Sequence, residues 1–210
     1  MAEVFRSAIP EDTALTEAEH ALARGDLVVV PTDTVYGLAA QPNVPGATQR
    51  VFEVKGRSRD LILPVLVADV DDAAEIAVLD ERTRTLAADF WPGGLTLIVP
   101  RTAASEGWDL GDAGGTVGIR VPDHEMTLSL LARTGPLAVT SANRSGEPTP
   151  DQCEELVAAL GEGVAIYLCA GPARHKVPSS IVDLTHAPPR VIRHGAVPLE
   201  AIREVLGEVE

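Results

Sequence analysis

The sequence predicts a single α/β domain built on a mixed parallel and antiparallel sheet. Its 210 residues suit one domain. Short apolar runs alternate with amphipathic stretches along the chain, with no linker, low-complexity tract or internal repeat. The last two apolar runs, 180–184 and 190–193, lie too close together for a helical crossover, so antiparallel pairing must accompany the parallel pairing.

The elements follow in order. Residues 12–24 read as an amphipathic helix with a polar start and Gly25 just past its end. Residues 27–30 are a short apolar run between Asp26 and Pro31, hence a buried strand, and 31–37 a polar loop. A helix is expected over 46–54 and a strand over 64–67. Two more helices are expected over 69–77 and 80–90, each opened by aspartate, which suits the positive end of a helix. Trp91-Pro-Gly-Gly94 breaks the second of these and reads as architecture. A strand over 95–99 precedes a loop over 101–115, whose Asp109 and Asp112 read as solvated acids or as metal contacts. Strands over 116–121 and 137–140 flank a helix over 124–133. A helix over 151–160, a strand over 164–168 and a Gly/Pro loop over 170–178 follow, the loop having the composition of a mobile flap. After the two closing strands, Pro198 opens a final helix to residue 206.

Composition narrows the function. Aromatic residues make up 3%, so the core must be aliphatic. No apolar run approaches the roughly 18 residues of a membrane span, and Met1–Pro10 does not read as a signal peptide. Cys153 and Cys169, sixteen positions apart, suggest core or helix-face residues in a reducing cytoplasm, with neither a disulfide framework nor a zinc pattern. A net charge of −14 without a basic run argues against tight binding to a nucleic-acid backbone. P-loop, dinucleotide-binding, H-E-x-x-H and G-x-S-x-G signatures are all missing from the sequence.

Several constellations remain. Lys55, Arg57 and Arg59 place three cations in five residues around Gly56, which suits a di- or triphosphate; a solvated basic turn has the same spacing. Thr32, Asp33, Thr34 and Tyr36 stand at a strand end, fit to hold a small polar ligand or to cap a turn. Ser141 and Asn143, also at a strand end, read either as nucleotide contacts or as an Asx turn. Arg120 in an apolar strand, on the same face as Thr116, needs an anionic partner, for which a substrate carboxylate is one candidate.

Seven segments share one ordered pattern: VVVPTDTVYGLAA, KGR, FWPGGLTLIVP, TVGIRVP, VTSANRSGEPTP, SSIVDLT and VIRHGAV. Together they resemble the YrdC-like family of threonylcarbamoyl-AMP synthases over nearly the whole chain. The resemblance implies a single domain over 1–210, with its core over about 10–206, and a twisted sheet around a deep, positively charged cavity. It matches the short form, without the extra C-terminal domain of longer members. The implied enzyme is a nucleotidyltransferase that joins L-threonine, bicarbonate and ATP with release of pyrophosphate. Its product feeds the threonylcarbamoyl modification of a tRNA adenosine beside the anticodon. Downstream transfer proteins would be its partners, with tRNA reached only indirectly, in the cytoplasm.

The resemblance also implies roles. Thr34, Arg120 and Ser179 would hold L-threonine. Lys55 and Arg57 would hold phosphates and developing charge. Thr116, Ser141, Asn143, Thr149 and Arg193 would complete the ATP site, with Mg2+ carried by the triphosphate. The chain departs from the family at Leu61-Ile62, where Asn-Pro is frequent, at Ser180, where Thr is usual, and at His194, where Pro is frequent. An RNA- or ribosome-binding module of the same fold is the alternative, and the related domain of hydrogenase-maturation carbamoyltransferases a third reading.

Overall fold

The protein is described by a computed structural model covering residues 2–6 and 11–210. Met1 and residues 7–10, part of the stretch read as lacking a signal peptide, lie outside the described residues. The chain opens with β1 (Glu3–Arg6), α1 (Glu11–Ala23), β2 (Val28–Val30), β3 (Gly37–Ala40) and α2 (Ala47–Lys55). Next come β4 (Val65–Leu66), α3 (Val70–Ile76), α4 (Glu81–Phe90), β5 (Leu95–Pro100) and β6 (Thr116–Arg120). Then α5 (Glu125–Thr134), β7 (Leu137–Ser141), α6 (Cys153–Leu160), β8 (Ile166–Cys169), β9 (Ser180–Asp183), β10 (Arg190–Arg193) and α7 (Leu199–Leu206) complete it.

The ten strands of the described residues form one mixed sheet, in the order β1-β8-β2-β3-β7-β4-β6-β5-β9-β10. The pairs β1/β8, β2/β8, β4/β6 and β5/β9 are parallel; the other five are antiparallel. The closing pair β9/β10 is antiparallel, as its short connection requires. Asp69 and Asp80 cap α3 and α4 by accepting from backbone N–H groups of the first turn.

Strand alternation splits the core. Leu27 and Val29 face one side, with α2, α3, α4, α6 and α7 packed there through residues such as Val51, Ile76, Leu86, Leu156 and Ile202. Val28 and Val30 face the other side, under α1 and α5. Those two helices cover the sheet from β8 to β7. Past β7 the same face continues over β4, β6, β5 and β9, where a cavity replaces the helix layer.

Two strands are missing from the sequence reading. In β3 all four residues of Gly-Leu-Ala-Ala are buried, so no polar face betrays a strand period. β1 is a four-residue edge strand paired only with β8. The cysteines also require correction. Cys153 and Cys169 form a disulfide with a Cα–Cα separation of 5.8 Å, because the start of α6 lies beside the end of β8. Cysteine usage therefore no longer supports a reducing compartment.

Candidate functional site

The cavity has a volume of about 400 Å3. Its floor is laid by alternate residues of neighbouring strands: Val139 and Ser141 of β7, Gly118 and Arg120 of β6, Thr96 and Ile98 of β5. Residues two apart share a face, so the strand pleat itself selects them. Three loops build the walls: 31–36 after β2, 56–64 before β4, and Pro178-Ser179 before β9.

Arg120 is the most constrained residue of the site. Its Nη2 donates to Asp33 Oδ1 at 2.6 Å in an ion pair with both partners buried. Its Nε donates to Gly93 O at 2.8 Å and its Nη1 to Thr34 Oγ1 at 2.9 Å. A guanidinium has five N–H groups, so one remains on each terminal nitrogen, the number a carboxylate needs for two-point binding. Burial lowers the pKa of Arg120, and the charge of Asp33 opposes that shift. The anionic partner expected of Arg120 is thus first an internal one. The Trp91-Pro-Gly-Gly94 break supplies Gly93 O and so helps to aim the guanidinium.

Two more guanidiniums line the cavity. Arg57 Nη1 donates to Thr140 Oγ1 at 2.6 Å, while its buried Nε has no hydrogen-bond partner. Arg193 donates to Ser179 through Nε to the carbonyl at 2.9 Å and through Nη2 to Oγ at 3.0 Å. Ser179 Oγ also shares a hydrogen bond with Thr96 Oγ1 at 2.8 Å. The pKa of Arg193 is lowered first by burial and then by the positive charges of Arg120 and Arg57. Three cations therefore converge on one space, and Asp33 neutralises one of them. The nearby Asp60, an exposed carboxylate on the cavity wall, partly offsets Arg57.

Lys55 takes a different place from the one expected. It is buried, and Nζ donates to Ser141 O at 2.5 Å, Asn143 O at 2.6 Å and Asn143 Oδ1 at 3.2 Å. These bonds occupy its three protons. Its own carbonyl accepts from Ser145 N. Lys55 is absent from the cavity lining and anchors the turn that carries Ser141. Asn143 stands behind the same wall: Oδ1 takes Lys55 and Thr149, and Nδ2 donates to Arg144 O and Glu147 O. Thr116 also lies off the cavity, its hydroxyl donating to Ala113 O.

Thr149 lines a second cavity of about 310 Å3 with Asp151 and Lys176; the two cavities share Val35 and Tyr36. Above it runs the 170–178 segment, read from sequence as a flap. His175 N donates to Asp33 O, Arg174 pairs with Asp123, Lys176 pairs with Asp151, and Tyr36 Oη donates to Gly171 O.

Comparison with known proteins decides the family. The Sua5_yciO_yrdC family model, described as telomere recombination, matches residues 20–195. The chain belongs to the Sua5/YciO/YrdC family. A Mycobacterium tuberculosis protein provisionally named threonylcarbamoyl-AMP synthase is 45% identical, over 99% of this chain and 96% of its own. The Bacillus subtilis threonylcarbamoyl-AMP synthase is 34% identical, over 94% of this chain and 58% of its own. Pyrococcus abyssi Sua5 solved with L-threonine superposes with a TM-score of 0.89 at 33% identity, over 100% of this chain and 62% of that one. Escherichia coli YciO, at 22% identity and a TM-score of 0.85, shares the fold.

Within this family member, Thr34, Arg57, Arg120, Ser141, Ser179 and Arg193 meet at the main cavity, as expected together; Lys55, Asn143 and Thr116 do not reach it. Sequence reasoning missed Thr96 and Gly118 as floor residues and the Asp33–Arg120 pair. The two-residue spacing of Gly118 from Arg120, and of Thr96 from Ile98, was the available signal. Asp109 forms an ion pair with Arg59. Among the described residues no group of three or more His, Cys, Asp or Glu stands ready for a metal ion.

Proposed function

We propose that the chain is a threonylcarbamoyl-AMP synthase, a nucleotidyltransferase acting on L-threonine, bicarbonate and ATP. The observation that carries this reading is the convergence of Arg57, Arg120 and Arg193 on one cavity beside the Thr32–Thr34 loop. Arg120, with two free N–H groups aligned by Asp33 and Gly93, takes the L-threonine carboxylate. Ser179 and Thr34 border that place. Arg57, whose buried Nε lacks a partner, takes phosphate oxygens. Arg193 spans the two.

The amine of L-threonine forms a C–N bond to the bicarbonate carbon and water leaves. A carbamate oxygen then attacks the α-phosphorus, the α–β anhydride bond breaks, and pyrophosphate departs with the bonding pair. No covalent enzyme intermediate is needed. Positioning and stabilisation of charge on the leaving pyrophosphate supply the catalysis. Mg2+ fits as an ion carried by the triphosphate, because Asp60 is a lone carboxylate on the wall and Asp33 is engaged by Arg120. It would neutralise phosphate charge there, held by phosphate oxygens, water and Asp60.

The product carries a labile mixed anhydride and passes to transfer proteins that modify tRNA, in the cytoplasm. No helix of the described residues is long and apolar enough to cross a membrane. The decisive assay measures pyrophosphate from ATP with each substrate omitted in turn. Release that needs both L-threonine and bicarbonate is expected; release independent of L-threonine would sink the reading.

A further inference from the structure

The Cys153–Cys169 disulfide stands at the base of the flap. Cys153 opens α6, just after Thr149 and Asp151; Cys169 ends β8, and the 170–178 flap begins at the next residue. The second cavity lies between these two segments. Thr149, Pro150, Asp151 and Glu155 line it from one side, Ala173 and Lys176 from the other. The disulfide therefore ties together the two walls of a cavity that meets the main one at Val35 and Tyr36.

Little else holds the outer flap. Residues 171–178 form neither helix nor strand, and 174–177 are exposed. The pairs Arg174–Asp123 and Lys176–Asp151 lie at the surface, where ion pairs contribute little. Lys176 also has a φ of 56°, the one positive φ of a non-glycine residue among the described residues. Such a conformation persists only where the surroundings over-determine it. The remaining ties run inward. Tyr36 Oη donates to Gly171 O at 2.6 Å and accepts from Ala170 N at 3.1 Å, and His175 N donates to Asp33 O at 2.9 Å. They join the flap to the 31–36 loop, whose Asp33 aims Arg120.

We propose that Cys153 and Cys169 are a reversible redox tether. The disulfide holds the flap, and through it the loop that aims Arg120; the dithiol releases both. A disulfide in a thiol-rich cytoplasm is usually transient and redox-sensing, which fits this placement. The co-reactant is a low-molecular-weight thiol and its disulfide. Cys153 is half-buried and Cys169 buried, so an incoming thiolate meets Cys153 Sγ. The new S–S bond forms there, the Cys153–Cys169 bond breaks, and Cys169 Sγ takes the electron pair and a proton. A second thiolate then attacks the sulfur of the first, and Cys153 Sγ leaves with the electron pair and takes a proton. Two electrons and two protons enter the protein, and two thiolates leave as one disulfide. Oxidation is the reverse.

The kinetic consequence rests on Arg120 as the seat of the L-threonine carboxylate; the release of the flap does not. Wild type is equilibrated in buffers of reduced and oxidised glutathione, and its free thiols are counted by alkylation and mass spectrometry. Both cysteines are expected to become alkylated together in the reduced buffer, and the disulfide to re-form on return. Trypsin then cuts after Arg174 and Lys176 at least threefold faster in the reduced enzyme, with other sites unchanged. The KM for L-threonine rises at least threefold on reduction, while inhibition by inorganic tripolyphosphate, a competitor for the phosphate half of ATP, stays within twofold. Cys153→Ser/Cys169→Ser shows the reduced values in every buffer; wild type alone decides the matter if that variant fails to fold. A disulfide that glutathione leaves intact overturns the proposal, as does a smaller change in flap cleavage. Cleavage along the whole chain on reduction, with circular dichroism lost, marks a purely structural staple and also overturns it. A freed flap with an unchanged KM overturns the link to Arg120. Wild type that releases no pyrophosphate refutes the proposed activity instead, and the trypsin comparison still decides the tether.

Discussion

Replacing Lys55 with methionine keeps the length of the side chain and removes its three hydrogen bonds. The carbonyls of Ser141 and Asn143 and the amide oxygen of Asn143 then lose their buried donor. Hydrogen bonds to a charged group contribute about 1.5–3 kcal/mol each, so the gross loss is about 5–9 kcal/mol. Against this stands the cost of keeping the ammonium inside. Burial, then the neighbouring charge of Arg57, draws its pKa from 10.5 down to about 8. That difference corresponds to about 3 kcal/mol, which methionine recovers. The balance is a net destabilisation of about 2–6 kcal/mol, within the stability of a domain. Urea unfolding followed by circular dichroism measures it. The slackened turn displaces Ser141, so pyrophosphate release falls at least tenfold, yet tripolyphosphate inhibition stays within threefold because Arg57 remains. Unchanged stability combined with lost tripolyphosphate affinity would show that Lys55 is a phosphate ligand and that the turn-anchor reasoning is wrong.

The same group sets a pH dependence. As pH rises through about 8, Lys55 loses its proton in the folded chain, and kcat/KM falls with an alkaline midpoint near that value. Its contribution to stability moves the other way: between about 8 and 10.5 the unfolded chain binds more protons, so stability rises with pH over that window. Parallel rate and unfolding profiles test both limbs, and a rate loss that merely follows unfolding counts against the assignment. Asp33→Ala breaks a buried ion pair and strands Arg120, costing about 3–5 kcal/mol. It raises the KM for L-threonine more than that for ATP, as steady-state kinetics with each substrate varied would reveal; equal changes would contradict the role given to Arg120. Reducing Cys153–Cys169, with its sixteen-residue separation, lowers stability by about 3 kcal/mol on the chain-entropy account. Urea midpoints with and without dithiothreitol check this, identical midpoints being the adverse result.

Most elements were legible because their signals are local. Asp69 and Asp80 cap helices through their own following N–H groups, and Pro198 opens α7, all within a few residues of sequence. β3 was illegible because a strand buried on both faces shows no alternation. The disulfide was illegible for another reason: fifteen residues of helix, turn and strand separate its halves, and only the return of the chain through α6 to β8 brings them together. The site divides along the same line. Thr34, Ser141, Ser179 and Arg193 were assigned to a site through their likeness to a family pattern; the residues alone left Thr34 and Ser141 open between a ligand contact and a turn, and gave Arg193 no role. That pattern preserves residues without saying whether they touch a ligand or hold those that do. Lys55 and Asn143 are of the second kind, and the distinction lies in where their hydrogen bonds go.

The acidic balance and the cation-lined cavity look opposed, but they act over different distances. Exposed charges more than about 8 Å apart are largely screened at physiological ionic strength. The net charge of −14 therefore governs solubility and non-specific contacts with polyanions, and sets little of the potential inside the cavity. There, Arg57, Arg120 and Arg193 line one space, Arg120 buried, Arg57 half-buried and Arg193 exposed, and partial desolvation lowers the pKa of each. All three cavity cations are arginine, and the lysine of the motif is turned inward. Arginine stays protonated under mutual repulsion and burial, whereas Lys55, under the same two influences, is already drawn down to about 8. A lysine facing the substrates would carry its charge less dependably across physiological pH. Behind the wall, with three carbonyl acceptors around it, that weakness matters less than its compact, three-proton geometry.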